Sequence, residues 1–596
     1  MHRIASAFLI CGGNNAIAIV PTHRLMTEVE ERPVRVSLTP TIPMREKLLA
    51  CVVVFIGLAI RLVYIHRFRF DSDEPQHLHV VWGWTQGMVA YRDFFDNHTP
   101  LFHILYAPVL KFFGERADIL VPMRLALLPL YFLSLWCVHR MATVLFDKRT
   151  GLWAAIFAGI YPYYFFPSIE FRTDNLWAPV WLLALLVIVG GRMTGRRAFL
   201  AGVLVGTAFA VSMKTSALLL ALGMAAFGVM ILFPGMRSAA GLRRLAACVA
   251  AALAGALLVP AALCFYFSKQ GALHALYYCV IEHNVIPGET KFRISPPVIA
   301  FFILVTGVLL LAKRLFVRLP HRLATRRALI FLATGIYILI LRLLWPDVTS
   351  QDYLPCDPLM VLLLTPLLLD GCRRIAERRA NNPAVRVLAL AALSMIGMVW
   401  VLLGRPIYKN KTTGHIRYVA EVLRLTTPLD YVMDFKGENV FRKRPFFPVL
   451  ELKTRDRIRL GLLKEEIPES LIRTRTCVTL GLTHRMTQRS RDFIVSNYLR
   501  VGQVNVSGRM FRSSADGNAD FDLFIPVSYA LVSREGVASG ELDGTPYLGP
   551  RFLEAGHHHF VSEEKNHRFA IIWFRAIEKG FTPFDPPRFR SFESEF

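Results

Sequence analysis

The chain has 596 residues, of which 54% are hydrophobic, and its mean hydropathy is +0.41. This excludes an ordinary soluble enzyme of this length and calls for many membrane spans. The net charge is +25, from 69 Lys and Arg against 44 Asp and Glu. These cations lie between apolar runs rather than in one patch, which speaks against a nucleic-acid partner and for basic cytoplasmic loops.

The N-terminal segment 1–45 is read as cytoplasmic. Its stretch Ala5 to Val20 is broken by Cys11-Gly-Gly-Asn-Asn15 and reads as neither a span nor a signal peptide, so that Met26 or Met44 is a candidate start. Apolar runs then predict about eleven spans, at 47–65, 121–146, 151–169, 175–191, 198–212, 215–233, 245–267, 296–312, 328–345, 358–371 and 385–404. Lys148-Arg149, Arg192 with Arg196-Arg197, Arg237 with Arg243-Arg244, Lys313-Arg314 through Arg326-Arg327, and Arg373-Arg374 through Arg386 fall in alternate loops. Positive-inside places these loops and the N-terminus in the cytoplasm, and an odd span count puts everything after Gly404 outside. The outer side then holds loop 66–120, the turn Glu170-Phe-Arg-Thr-Asp174, loop 268–295, the turn Pro346 to Asp357, and the tail 405–596.

The tail reads as a soluble α/β-to-β domain beside the membrane domain 46–404. A helix is expected at His415 to Leu425, and short strands at Leu429 to Phe435 and Cys477 to Leu482. Further strands are expected at Phe521 to Val532 and Arg568 to Ile577, with a hairpin turn at Asp543-Gly544. The nine cysteines show no CxxC pair and no zinc spacing. Cys279 and Cys356 share the predicted outer side and could pair, although free thiols are the simpler state.

Candidate chemistry concentrates after the first span, in Asp71-Ser-Asp-Glu-Pro-Gln-His-Leu-His79 and Tyr91-Arg-Asp-Phe-Phe-Asp-Asn-His-Thr-Pro-Leu101. Acids clustered where a helix leaves the bilayer suggest a site, and a carboxylate there could take the proton of an incoming hydroxyl. Asp73-Glu74 suits that role, but Asp71, Ser72 and Asp73 are equally good helix caps and Pro75 fits a first helical turn. Arg172 and Asp174 lie between two spans, either as an ion pair in an aromatic belt or as partners of Asp73 in one cleft. Lys214, in Ser212-Met-Lys-Thr-Ser216, either snorkels to headgroups or stabilises a departing phosphate, with Lys291 and Arg293 as weaker candidates. His557-His-His559 does not make one metal site, because neighbours on a strand face opposite ways. No Walker, G-x-S-x-G, H-E-x-x-H or dinucleotide motif occurs.

Taken in order, these segments resemble the polyprenyl-phosphate-dependent GT-C glycosyltransferases, notably the family 39, protein mannosyltransferase-like group, and also the lipid A aminoarabinose transferases. The matching pieces are Asp73-Glu74, Gly87, Tyr91-Arg-Asp93, His98-Thr-Pro-Leu101, Phe113-Gly114, Arg124, Arg172-Thr-Asp174 and Lys214, within residues 45 to 400. The resemblance implies catalytic Asp73, Glu74 and Asp174, and substrate contacts from Lys214, Arg172, Tyr91, Asp93 and His98. It also implies an α-helical polytopic GT-C-like fold, a polyprenyl-phosphate-linked sugar donor, a membrane-lipid environment and an envelope acceptor. Use of a divalent cation is left open, since relatives differ. One departure is Asp352-Tyr-Leu-Pro355, where such enzymes often carry an Arg-Tyr-Leu-Pro type segment. The expectation is an inverting transferase of the cell inner membrane with a periplasmic tail. The alternatives are a transporter or lipid flippase, which would place charges at mid-span, and a scaffold whose tail binds an envelope partner.

Overall fold

The computed structural model describes residues 42–233, 239–286, 320–345, 348–379 and 382–584. The N-terminal segment 1–41, the expected span 296–312, and Arg237, Lys291, Arg293 and Lys313-Arg314 lie outside the described residues. Helix α1 (Met44–Arg67) has 24 residues, a length of about 36 Å that suffices to cross a hydrocarbon core. Next come α2 (Asp73–Thr85) and α3 (Leu101–Phe113), both within the expected outer loop. Helices α4 (Leu120–Leu125) and α5 (Leu128–Leu145) together form the second span. Helix α6 (Lys148–Ile160) meets the segment Pro162–Ile169, which includes α7 (Pro162–Phe165), at a 66° bend. Pro162 and Pro167 lack the N–H groups that would carry the helix straight on.

The bundle continues with α8 (Asp174–Val189), α9 (Gly195–Val211), α10 (Thr215–Leu232), α11 (Ala239–Lys269) and the short α12 (Leu273–Tyr277). It ends with α13 (His321–Leu343), α14 (Asp357–Glu377) and α15 (Pro383–Gly404). Every expected span outside 296–312 coincides with a helix. Among the described residues, however, only six helices are long and apolar enough to cross alone, or seven if the bent pair counts as one span. The expected spans 175–191 and 198–212 are helices of 16 and 17 residues, shorter than a full crossing. Helices α9 and α11 approach closely because Gly202 and Gly206 face the Ala252 and Ala256 backbone and Gly255 faces Phe199, with no room for a Cβ at any of the three.

The two ends of the bundle differ. At one end, buried Glu46 meets Arg149 at 2.7 Å, Arg386 at 3.5 Å and the indole N–H of Trp153 at 2.6 Å. Arg327 donates to the Leu145 carbonyl at 2.7 Å. These residues begin or adjoin the basic loops, so the alternation read from charge is realised in space. The acid-bearing loops gather at the opposite end.

The tail opens with α16 (Thr413–Leu425), whose His415, Tyr418, Val419, Val422 and Leu425 form one buried stripe. It continues through β1 (Val432–Met433), α17 (Leu452–Arg459), α18 (Ile467–Arg473), β2 (Val478–Thr479), α19 (Gln488–Asn497), β3 (Tyr498–Val501) and β4 (Val504–Arg512). Then follow β5 (Asn518–Leu523), β6 (Val527–Val532), β7 (Gly540–Leu542), β8 (Thr545–Pro546), β9 (Arg551–Leu553), β10 (Gly556–Ser562), β11 (Arg568–Trp573) and α20 (Phe574–Glu578). One sheet runs β1-β2-β4-β11-β6-β9, with β3 also on β4, and a second runs β5-β10-β7-β8. The expected single strand Phe521 to Val532 is two strands in different sheets, because Pro526 falls at the break and cannot donate to a ladder. The expected strand Arg568 to Ile577 stops at Trp573 and turns into α20. Asp543 and Gly544 join β7 to β8 with φ of 53° and 72°, the mirror-image turn expected of Asp-Gly. Cys279 and Cys356 are both buried free thiols.

Candidate active site

Helix α2 carries the first acids, and it is buried from Glu74 to Gly83 between the bundle and the tail. Such a helix is held by polar anchors as well as by packing. Glu74 is fully buried and accepts from Arg124 Nε at 2.7 Å while its other oxygen meets Arg124 Nη2. The backbone N–H groups of Phe171 and Asp71 donate to it at 2.7 and 2.8 Å. Arg124 also donates to the carbonyls of Phe68 and Arg69, so α1, α2, α4 and the 170–174 turn are tied at one point. This satisfies the oxygens of Glu74 and leaves it no access to a substrate. In this geometry Glu74 is an anchor between these elements.

Asp73, its neighbour, has the opposite setting. Its side chain keeps 26% exposure and pairs with Arg172 Nη1 at 2.5 Å and with Lys436 Nζ of the tail. Arg172 also reaches Asp71 at 2.8 Å and, through Nε, Asp174 at 3.4 Å. Asp174 in turn accepts from Lys214 Nζ at 3.1 Å, and Lys214 lies 2.6 Å from Asp352. A continuous line of alternating charge therefore runs Lys436–Asp73–Arg172–Asp174–Lys214–Asp352, built from four interhelical segments and the tail.

Each member is fixed by local structure. Lys214 caps α10, where Thr215 accepts a hydrogen bond from the Trp177 indole at 2.9 Å and so ties the Lys214 turn to α8. Asp352 closes a capping box with Thr349, one oxygen accepting the Thr349 N–H at 2.7 Å while the other faces Lys214. Lys436 depends on Gly437, whose φ is +107° and whose absent Cβ would lie 2.6 Å from the Cβ of His79 on α2. Only glycine admits both that backbone and that approach.

Electrostatics follow the contacts. Burial raises the pKa of Asp73, but Lys436 and Arg172 outweigh it and hold the carboxyl well below its ordinary value. Burial also opposes the charge of Lys214, yet Asp174 and Asp352 raise its pKa above the usual lysine range. At Glu170 the compensation, from Arg172 and Gln351, is weaker. Burial, reinforced by Asp71 and Glu74, pushes it up to about 8, and Gln351 Nε2 donates to it at 2.5 Å.

Behind Asp73 lies a run of imidazoles. His77 Nδ1 and His103 Nε2 share a hydrogen bond of 3.0 Å, and Asp96 stands 3.2 Å from His103 Nδ1 and 3.1 Å from His98 Nδ1. Burial pushes His103 down to about 4, so it is neutral at pH 7. His98 thus stacks edge-on to His77, with ring centroids 4.5 Å apart, beside the acids rather than among them. Tyr91 sits apart from the charged line. It is a buried loop clip with φ of 70°, its hydroxyl donating to the His98 carbonyl at 2.7 Å. Asp93 accepts the Val89 N–H and pairs with Arg92, also away from that line.

The structure therefore brings Asp73, Arg172, Asp174 and Lys214 together, with Glu74 beside them as an anchor. Sequence reasoning missed Lys436 and the part played by Asp352. Nothing local marks Lys436, which comes from far down the tail, whereas Asp352 drew notice only as a departure. Among the described residues, the one trio of ligand atoms close enough for a metal is Glu535, Glu564 and His567 on the tail, remote in sequence from these acids. The site acids instead meet protein cations. Along β10, His557 pairs with Asp522 and shares Asp520 with His559, while His558 pairs with Asp543.

Comparison with known proteins agrees with this architecture. Residues 97–263 match the family model described as dolichyl-phosphate-mannose-protein mannosyltransferase. The fold is similar to that of ArnT from Cupriavidus metallidurans in the apo state, with TM-score 0.51, 13% identity, and coverage of 77% of this chain and 98% of that one. The same fold is seen in the form of that protein bound to undecaprenyl phosphate, at TM-score 0.51, 14% identity, and coverage of 77% and 97%.

 The chain has the GT-C membrane glycosyltransferase fold. An archaeal oligosaccharyltransferase, AglB from Archaeoglobus fulgidus, is a more distant match, at TM-score 0.42, 12% identity, and coverage of 73% of this chain and 70% of that one. No curated protein matches the chain significantly by sequence.

Proposed function

We propose that this GT-C protein moves a sugar from a polyprenyl-phosphate carrier to a hydroxyl of an envelope acceptor, with inversion, on the side of the membrane away from the basic loops. The observation that carries the reading is the charged line from Lys436 through Asp73, Arg172, Asp174 and Lys214 to Asp352. It supplies a carboxylate for a proton and cations for a phosphate within one cluster. Positive-inside puts the basic loops in the cytoplasm, so the cluster would face the periplasm, as would the tail 405–596.

In the proposed step the acceptor oxygen attacks the anomeric carbon and its proton passes to Asp73. The bond from that carbon to the phosphate oxygen breaks, and its electron pair leaves with the polyprenyl phosphate. Arg172 and Lys214 meet the charge that develops there. Asp73 is ionised and ready to accept, but its two cations also make it a weak base. An incoming phosphate competes for the same cations, which restores basicity to Asp73 when the donor is in place.

The test is Asp73→Asn, purified in lipid nanodiscs. Transfer should fall by about 10²–10⁴-fold while binding of undecaprenyl phosphate persists. Unchanged transfer removes Asp73 from the role. A mass-spectrometric comparison of envelope glycolipids and glycans with and without the gene identifies the acceptor.

A further inference from the structure

A second cavity adjoins the site on the tail side. It has a volume of about 510 Å³ and lies between α2 and the segment 431–449, with the end of α18 at its rim. Its floor is α2 itself, through Gln76 and His79, starting one helical turn from Asp73. Lys436 belongs to both places, lining this cavity while its Nζ touches Asp73.

The lining is strongly cationic. Lys436, Lys443, Arg444 and Arg473 face it against Asp93 alone among acids, and Asp93 is already paired with Arg92. Arg444 is committed, holding Asp434 at 2.8 Å and the carbonyls of Pro448 and Phe435 at 3.0 Å. Lys443 and Arg473 are different. Arg473 spends one N–H on Ser470 Oγ at 3.0 Å, and among the described residues neither has a carboxylate partner within ion-pair distance. Much of the remaining wall is aromatic, including Trp82, Phe94 and Phe447. Aromatic faces suit the apolar faces of sugar rings, and unpaired cations beside them suit an anion.

We infer that this cavity seats the acceptor, and that the acceptor is an acidic sugar whose anionic group pairs with Lys443 and Arg473 while a hydroxyl reaches Asp73. The inference rests on the reading of Asp73 as the proton acceptor. The anion is a uronic carboxylate or a sugar phosphate, which share the charge these cations read. Nothing in the charged line itself specifies an acceptor, whereas this cavity has a net charge, a size and, through Lys436, a link to Asp73.

The experiment uses the full chain in nanodiscs and ligand-observed saturation-transfer NMR with three probes of one size: cellobiose, cellobiuronic acid and cellobiose 6′-phosphate. At least one anionic probe should bind 10-fold or more tighter than cellobiose. The stronger of the two tells carboxylate from phosphate. Lys443→Ala/Arg473→Ala should bring anion binding down to the cellobiose level, and Lys443→Arg/Arg473→Lys should keep the preference. Equal binding of all three probes, or a preference that survives the double alanine variant, overturns the inference. Asp73→Asn should retain anion binding. If that variant also kept full transfer, the base assignment would fail while the acceptor cavity stood, so the two failures are distinguishable.

Discussion

Glu74 and Asp73 are adjacent acids whose surroundings differ, and Glu74→Gln tests that difference. The change removes the counter-charge of Arg124, whose side chain is fully buried, and turns an amide N–H₂ toward the Phe171 or Asp71 N–H. Breaking a buried pair by removing one partner costs about 3–5 kcal/mol. Arg124 keeps its bonds to the Phe68 and Arg69 carbonyls and its place 4.6 Å from the Phe70 ring centroid, which favours the lower part of that range. The expected effect is a loss of about 3 kcal/mol, a Tm drop on the order of 2–3 °C. Intrinsic fluorescence during heating in detergent micelles measures it. Glu74→Gln/Arg124→Met should recover part of the loss, because it removes the stranded cation. Wild-type Tm in Glu74→Gln combined with abolished transfer would refute the anchor role and return Glu74 to the chemistry.

Lys214→Ala should raise the KM for the lipid-phosphate donor by about 10–100-fold, with Lys214→Arg recovering most of it, because the charge-assisted contact is what is lost; donor titration in a transfer assay reads this directly. Glu170 should oppose stability as pH rises. Its ordinary value of 4.5 goes up to about 8 in the folded protein, so folding binds a proton between those values and stability from this group falls as pH climbs from about 4.5 to 8. Glu170→Gln should therefore be the more stable form at pH 8.5 and flatten the Tm-versus-pH curve across that window, and a parallel curve would show that Glu170 titrates normally. Gly437→Ala should lower Tm by a few degrees and reduce transfer, since its Cβ has no place beside His79 and the Lys436 turn must move. Equal transfer by that variant would mean that the exact placement of Lys436 does not matter.

The membrane class, the positions of the spans and their alternation were legible in the sequence because they depend on run length and on charge between runs, both local quantities. Asp73, Arg172, Asp174 and Lys214 were legible as candidates for the same reason: each sits at the end of an apolar run. The local pattern did not distinguish Glu74 from Asp73, since both are acids in the first turn of one helix; only the family resemblance favoured Asp73. Their difference comes from Arg124 and the Phe171 N–H, which are 50 and 97 residues away. Nor did it reveal Lys436, which reaches Asp73 across 363 residues, or the role of Asp352 beside Lys214. The break of Phe521 to Val532 into two sheets was similarly hidden, because alternating burial looks alike in either sheet. Local pattern fixes which segments enter the bilayer and which remain at its edge. Which acid stays charged and accessible is decided by partners brought from distant segments, and only the folded chain supplies those.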